Sequence, residues 1–314
     1  MAIRQAHDLV ETDSLHPAFD WHEVAHLALV SRAMDVIEER ELTPQGLVKY
    51  QFSSSGHELG QLLISQLLTR PSDGASVYYR SRPFMLGSGL TPVEQFGSGM
   101  ARAGGITDGR DVGVSYNMPP RGRATVFPMS GDVGSQYTPT IGWAQAIRYR
   151  VEQLEQHELD GSIAVVFGGD GSVAANGFWS ALTIATTLKL PILFFIEDNG
   201  YAISVKSPLQ TPGANIAENL ASFDNLDIIN GSGIDPAEAA EAVYTAVNKV
   251  REGEGPVLLR LTVPRMSGHS SADNQNYKSE AERAADDIRD PLPRLRDYLV
   301  PQFMSAAEWH TLEK

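Results

Sequence analysis

The chain has 314 residues and no cysteine. Disulfides, thiolate catalysis and cysteine-type zinc sites are therefore excluded, and the cytoplasm is the expected compartment. Long apolar runs are missing too. The first 20 residues mix His, Asp, Glu and Arg without an apolar signal core, and no later stretch is long enough to span a bilayer, so no membrane partner is expected. Cations are scarce: 25 Lys and Arg stand against 39 Asp and Glu, a net charge of −14. That balance argues against a broad nucleic-acid surface, because phosphate backbones need clustered cations. Repeats and low-complexity segments are absent as well, since glycine and proline are spread along the chain.

What remains is a chain long enough to bury a real core. Apolar runs bounded by Gly, Pro or polar residues read as buried strands at Ile163–Phe167, Ile192–Ile196 and Val257–Val263, with weaker ones at Ala124–Phe127 and Leu226–Ile229. Helical patterns fall at Glu23–Glu38, Glu58–Leu68, Tyr137–Glu158, Phe178–Leu188 and Pro236–Arg251. Strand and helix alternate in short units. The expected fold class is therefore α/β, a doubly wound and mostly parallel sheet with helices on both faces. We expect an N-terminal arm and helix over 1–45, one α/β domain over 46–300, and a short peripheral tail over 301–314. Met266–Ser279 is polar and rich in Ser and Asn, and reads as a mobile loop.

The strongest chemical signal starts at Ile163. The run IAVVF ends in Gly168-Gly169-Asp170-Gly171-Ser172, and a helical pattern follows. Ligands of doubly wound sheets sit at the carboxyl ends of strands, where glycines let the backbone approach a phosphate and the next helix offers free N–H groups. Taken alone, Asp-Gly after a strand is a common turn. The next strand adds weight. ILFFI ends in Glu197-Asp198-Asn199-Gly200-Tyr201, so Asn199 lies 29 residues after Asp170. One βαβ unit takes about 30 residues and brings two strand ends together. The Asp170 carboxylate and the Asn199 amide oxygen could then share a magnesium ion, with a carbonyl near Tyr201 as a third donor. One negative charge in that set leaves room for a diphosphate.

GDG followed at this interval by Asn resembles the cofactor motif of thiamine diphosphate enzymes. Four further segments, in the right order, resemble alpha subunits of 2-oxo acid dehydrogenases, the first and decarboxylating component of the multienzyme complex. They are Tyr79-Arg80-Ser81-Arg82 with Gly89-Leu90, Ser130 through Gln136, Asn199 through Ser204, and Arg265 through Ser270. The Asn199–Ser204 segment is similar to the branched-chain members. The resemblance covers roughly residues 45–300.

The resemblance implies roles residue by residue. Asp170, Asn199 and the Tyr201 carbonyl would bind magnesium. Tyr79 and Arg80 would hold the diphosphate, with Gly131, Gly169, Gly171, Ser172, Ala202 and Ile203 also against the cofactor. Val133 would sit under its two rings. His269 would be the active-site histidine and would also meet the cofactor. Ser130, Ser135 and Gln136 would cradle a potassium ion. Ser270 matches a site that mitochondrial relatives phosphorylate; nothing in the sequence points to a kinase, so it reads as a plain loop serine. Departures exist: Ser267 and Gly268 precede His269 where some relatives carry a second histidine, Ser115-Tyr116-Asn117 stands where a histidine is common, and Asp132 replaces a proline.

The activity implied is thiamine diphosphate- and magnesium-dependent oxidative decarboxylation of a small 2-oxo acid, branched-chain favoured, with acyl transfer to lipoamide. The partners implied are a beta subunit in a two-alpha, two-beta heterotetramer and a lipoyl-bearing acyltransferase. The beta subunit would supply the carboxylic acid that meets the aminopyrimidine ring. Three other readings stay open. An acetoin or pyruvate dehydrogenase alpha subunit would share every motif, with Tyr50 and Phe52 as candidate pocket walls. A catalytically silent regulatory subunit could keep the fold. A nucleotide-dependent oxidoreductase would need a G-x-G-x-x-G after a strand, which the chain lacks.

Overall fold

The structure is a computed structural model that describes residues 3–10 and 14–314. In chain order the strands are β1 (Arg4–Gln5), β2 (Gly74–Ser76), β3 (Thr125–Val126), β4 (Ala164–Gly169), β5 (Ile192–Asp198), β6 (Tyr201–Ala202), β7 (Val205–Lys206), β8 (Asp227–Ser232) and β9 (Val257–Thr262). Seven of them form one sheet in the order β1-β8-β9-β5-β4-β2-β3, and every pairing in it is parallel. β6 and β7 form a small antiparallel hairpin apart from it.

Strand periodicity explains why both faces are dry. Val165 and Phe167 of β4 point to one core cluster, while Ala164 and Val166 point to the other. β5 repeats this with Leu193 and Phe195 on one face and Ile192, Phe194 and Ile196 on the other. Both faces being apolar, the strands read as continuous hydrophobic runs, as parallel sheets require. The α-helices among the described residues are, in chain order, α1 (Trp21–Ile37), α2 (Glu58–Leu67), α3 (Arg82–Gly87), α4 (Pro92–Gly99), α5 (Tyr137–Leu154), α6 (Asn176–Leu188), α7 (Ile216–Asn219), α8 (Pro236–Arg251), α9 (Glu280–Ile288), α10 (Pro291–Leu299) and α11 (Ala306–Leu312). Residues of α1, α2 and α8 fill the first cluster, and residues of α5 and α6 fill the second. The α/β class with helices on both faces is thus observed. Among the described residues, no helix is long and apolar enough to cross a membrane.

Several boundaries differ from the sequence expectation. The α5 helix stops at Leu154 rather than Glu158, because Glu155 turns left-handed (φ 52°) without a glycine to announce it. The first helix starts two residues early, at Trp21, where Asp20 accepts hydrogen bonds from the His22 and Glu23 N–H groups as an N-cap. The last residues are not simply peripheral: α11 buries Trp309 at 2% exposure in the first core cluster, and its indole Nε1–H donates to Glu313 at 2.7 Å.

Candidate functional site

Four adjacent strands, β2, β4, β5 and β9, deliver their carboxyl ends to one edge of the sheet, the edge where doubly wound folds bind ligands. A cavity of about 510 Å³ opens there. After β2 come Tyr78, Tyr79 and Arg80. After β4 come Asp170, Gly171 and Ser172 in a tight 3-10 turn, and after β5 come Asn199 and the hairpin residues Tyr201, Ala202 and Ile203. The loop after β9 brings Arg265 and His269. Gly131, Val133 and Gly169 line the cavity too, as do Gln136, Tyr50 and Phe52. Two site residues expected from sequence do not line it. Ser130 and Ser135 stand beside it, where Ser135 Oγ donates to the Asp132 carbonyl at 2.6 Å and Ser130 Oγ donates to the Asp132 carboxylate at 3.2 Å. Gln136 uses both ends of its amide, accepting from the Gly134 N–H at 3.0 Å and donating to the Phe167 carbonyl at 3.0 Å.

Backbone geometry makes the approach of β4 and β5 possible. Gly200 sits at φ +81°, which lets the chain reverse straight after Asn199. A Cβ on Gly171 would lie 2.6 Å from the Ala202 Cβ, so glycine there lets the two turns touch. The Asn199 N–H points to Asp170 Oδ1 at 3.3 Å. Asp170 is 4% exposed, and its Oδ2 accepts from Ser207 Oγ at 2.5 Å and Gln210 Nε2 at 3.2 Å. Burial and then the charge of Asp198 push the Asp170 carboxyl up to about 7. It forms no ion pair with a side chain among the described residues. A buried carboxylate with hydroxyl and amide partners but no cation suits an arriving metal. Among the described residues no group of three His, Cys, Asp or Glu could hold an ion. The donor set here is of another kind: carboxylate, amide oxygen and carbonyl, the hard oxygens that magnesium takes.

Positive charge faces the same space. Arg80 is 2% exposed and Arg265 is 1% exposed. Arg80 donates to the Ser53 and His269 carbonyls. Arg265 donates to the Ile203 carbonyl at 2.7 Å and to the Tyr277 hydroxyl, and its buried Nε has no partner. Neither guanidinium forms an ion pair among the described residues. Burial and the nearby Arg80 lower the Arg265 pKa. Two buried cations without counter-ions beside a cavity fit a doubly charged anion. His269 packs edge-on against Phe52 and Tyr79, and its backbone N–H donates to Asp273 Oδ2 at 2.6 Å. Burial first, then Arg80 and Arg265, lower its imidazole to about 4, so it is neutral near pH 7.

The apolar wall is equally telling. Val133 is 53% exposed, Ile203 60% and Tyr50 56%, and all three line this cavity. Large apolar side chains left open around one concave surface mark a binding site. The six arginines of residues 80–123, by contrast, disperse. Arg82 is buried against Asp35 and Glu38, Arg121 pairs with Glu94 and Arg123 with Glu23, so Arg80 alone of that stretch reaches the cavity.

Sequence reasoning assigned no role to Arg265, although it opens the quoted loop motif; its place after a strong strand was the available signal. It also missed a network behind Arg80. Gln61 Nε2 donates to Glu197 Oε2 at 2.7 Å and to the Arg80 carbonyl at 3.2 Å, and the Tyr78 hydroxyl donates to Glu197 at 3.1 Å. Burial raises the Glu197 carboxyl to about 8. No local pattern announces the two Glu197 contacts, which join residues more than a hundred positions apart.

The sequence model of the Dehydrogenase E1 component family matches residues 26–313. The chain is 29% identical over 262 residues to the pyruvate dehydrogenase E1 component subunit alpha of Zymomonas mobilis, an alignment covering 82% of this chain and 70% of that relative. Against the 2-oxoisovalerate dehydrogenase subunit alpha of Bacillus subtilis it is 29% identical over 266 residues, covering 84% and 77%. The chloroplastic pyruvate dehydrogenase E1 component subunit alpha-3 of Arabidopsis thaliana is 32% identical over 183 residues, covering 58% of this chain and only 42% of that relative. The match runs through nearly the whole described fold, from α1 to the end of α11, and includes every segment that meets at the cavity. The chain therefore belongs to the Dehydrogenase E1 component family, as its resemblance to 2-oxo acid dehydrogenase alpha subunits implied.

Proposed function

We propose that this chain is the alpha subunit of a thiamine diphosphate-dependent 2-oxo acid dehydrogenase and that its cavity holds the diphosphate end of that cofactor with a magnesium ion. The observation that carries this reading is the meeting of two unpaired buried arginines with a buried, cation-free Asp170 across one cavity. Asp170, the Asn199 amide oxygen and the Tyr201 carbonyl are the magnesium donors. Arg80, Arg265 and the Tyr79 hydroxyl serve the diphosphate, and Val133 and Ile203 support its apolar rings. A potassium ion held by Ser130, Ser135 and Gln136 belongs to the same proposal, as a brace for the Val133 turn.

Thiamine diphosphate, when bound, supplies the carbon nucleophile and electron sink that decarboxylation of a 2-oxo acid needs. The chain's own residues position and tune. Arg80 and Arg265 would hold the anion through their guanidinium N–H groups. Neutral His269, walled by Phe52 and Tyr79, would be the group of this chain that accepts or returns a proton in the cavity. Tyr50 and Phe52 bound the space for the substrate side chain. A branched-chain 2-oxo acid is favoured by the Asn199–Ser204 segment; the pyruvate and 2-oxoisovalerate relatives are equally similar, at 29% each.

The lining carboxylates are Asp170 and Asp132. Asp170 belongs to the metal, and Asp132 stands on an exposed turn, hydrogen-bonded to Ser130. An acid acting on the aminopyrimidine ring needs an enclosed pocket, so a beta subunit supplies it, and a lipoyl-bearing acyltransferase accepts the acyl group. Single-turnover decarboxylation tests this. With cofactor and magnesium, the purified chain should be inactive on pyruvate and on branched 2-oxo acids, and activity should appear when the beta subunit is added. Turnover by the chain alone would refute the split site.

A further inference from the structure

The connection from Ser53 to His57, just ahead of α2, is braced from three sides. The Ser54 N–H, Ser54 Oγ and Ser55 Oγ all donate to Asp35 Oδ2 of α1, at 2.9, 3.2 and 3.0 Å. The Gly56 N–H donates to Glu58 Oε2 of α2 at 2.8 Å, and Arg32 pairs with Glu58. Gly56 sits at φ +100°, and a Cβ there would lie 2.2 Å from the Pro264 carbonyl beyond β9. Only glycine fits that approach. The side chain this strap delivers is His57, 1% exposed.

His57 Nε2 lies 3.2 Å from Asn199 Nδ2. The orientation of that amide is settled by its other end. Asn199 Oδ1 faces the Tyr201 backbone N–H at 3.1 Å, and a backbone N–H only donates. The atom facing it is therefore the amide oxygen, and the amide N–H faces His57. The imidazole nitrogen must then accept, which puts the ring proton on Nδ1.

We propose that His57 is a positioning residue for the divalent cation, accepting the Asn199 amide proton so that Asn199 Oδ1 stays turned toward the metal. The inference rests on the reading of the cavity as a magnesium–diphosphate site. Without His57 the Tyr201 N–H alone holds the amide, which can then more easily rotate and present its NH₂ group, which has no lone pair for a cation. Partners that orient a ligand in this way matter nearly as much as the ligand itself.

The test is Mn²⁺ binding to the full-length chain with thiamine diphosphate present, read from the electron paramagnetic resonance of free Mn²⁺. His57→Met replaces the imidazole acceptor with a much weaker thioether at similar bulk, and His57→Gln keeps a strong one. Each is made alone and together with Asn199→Asp, whose carboxylate presents oxygen in either rotamer. His57→Met should weaken Mn²⁺ binding about 10–100-fold. His57→Gln should recover most of that loss, and with Asn199→Asp present His57→Met should change the affinity within about twofold. Equal loss in both backgrounds would mean a merely structural histidine and would overturn the proposal, as would unchanged affinity in His57→Met. If the parent chain fails to bind Mn²⁺, or Asp170→Ala binds it equally well, the magnesium reading falls and this proposal with it; if those controls hold and the cycle fails, this proposal alone falls. A measurement free of substitutions keeps the question decidable should His57→Met not fold. The ¹⁵N spectrum of the His57 ring should show the Nδ1–H tautomer, and the Nε2–H tautomer would overturn the proposal.

Discussion

Two sets of buried or half-buried arginines differ in what they face. Arg82 meets Asp35 and Glu38, Arg251 meets Asp73 at 2.7 Å, and Arg260 meets Asp198 at 2.6 Å. Arg80 and Arg265 meet carbonyls and a tyrosine hydroxyl. The first set is neutralised by the fold itself. The second opens on the cavity, where the proposed diphosphate would complete the pairing. Burying a guanidinium without a counter-ion costs free energy, so its persistence at one place suggests that the place is kept for something else. Asp170 repeats the pattern with the opposite sign.

The largest expected effect tests the paired set. Arg82→Met leaves Asp35 and Glu38 buried without their cation, and should cost about 3–5 kcal/mol of folding stability in a denaturant titration. A loss under about 1 kcal/mol would erase the contrast between the two sets. The companion change is Arg80→Met. Here stability should move by no more than about 1 kcal/mol, while thiamine diphosphate affinity measured by calorimetry falls about 10–100-fold, the worth of a charge-assisted hydrogen bond or two. The reverse result, a destabilised chain with intact binding, would place Arg80 with the structural arginines.

The smallest effect concerns an arginine of neither set, Arg121, which is partly exposed. It meets Glu94 with both terminal nitrogens, at 2.9 and 2.8 Å. That bond first, and the Thr91 contacts after it, pull the Glu94 carboxyl down to about 2. A folded-state value below the unfolded one stabilises above the unfolded pKa, near 4.5, and the contribution fades as pH falls from there toward about 2. Glu94→Gln should therefore cost about 1 kcal/mol or less at pH 6, and its difference from the parent should shrink between pH 4.5 and the lowest pH at which the chain still folds. A difference that is constant with pH would show that the ion pair contributes nothing.

The legible parts of the sequence share a physical cause. β4, β5 and β9 are buried on both faces, so each reads as an uninterrupted apolar run, and the motifs attached to their carboxyl ends could be placed with them. β1 and β2 have two and three residues and carry no periodicity, so neither was expected. Tyr79 and Arg80 were read from a motif alone, without the strand that positions them. Val133 lines the cavity and is exposed there, and its place under the cofactor belongs to the proposed function. His57 and Glu197 were not legible as site residues. Their importance lies in partners 142 and 136 residues away, a distance at which only the folded sheet creates the contact.

The measurement that bears most directly on the cavity's role is a calorimetric titration of thiamine diphosphate into the full-length chain, with magnesium and with a chelator, for the parent and for Asp170→Ala. Binding should require magnesium and disappear in Asp170→Ala, because Asp170 is the one charged donor assigned to the ion. Equal affinity with and without magnesium, or unchanged affinity in Asp170→Ala, would contradict a magnesium-held diphosphate at this site.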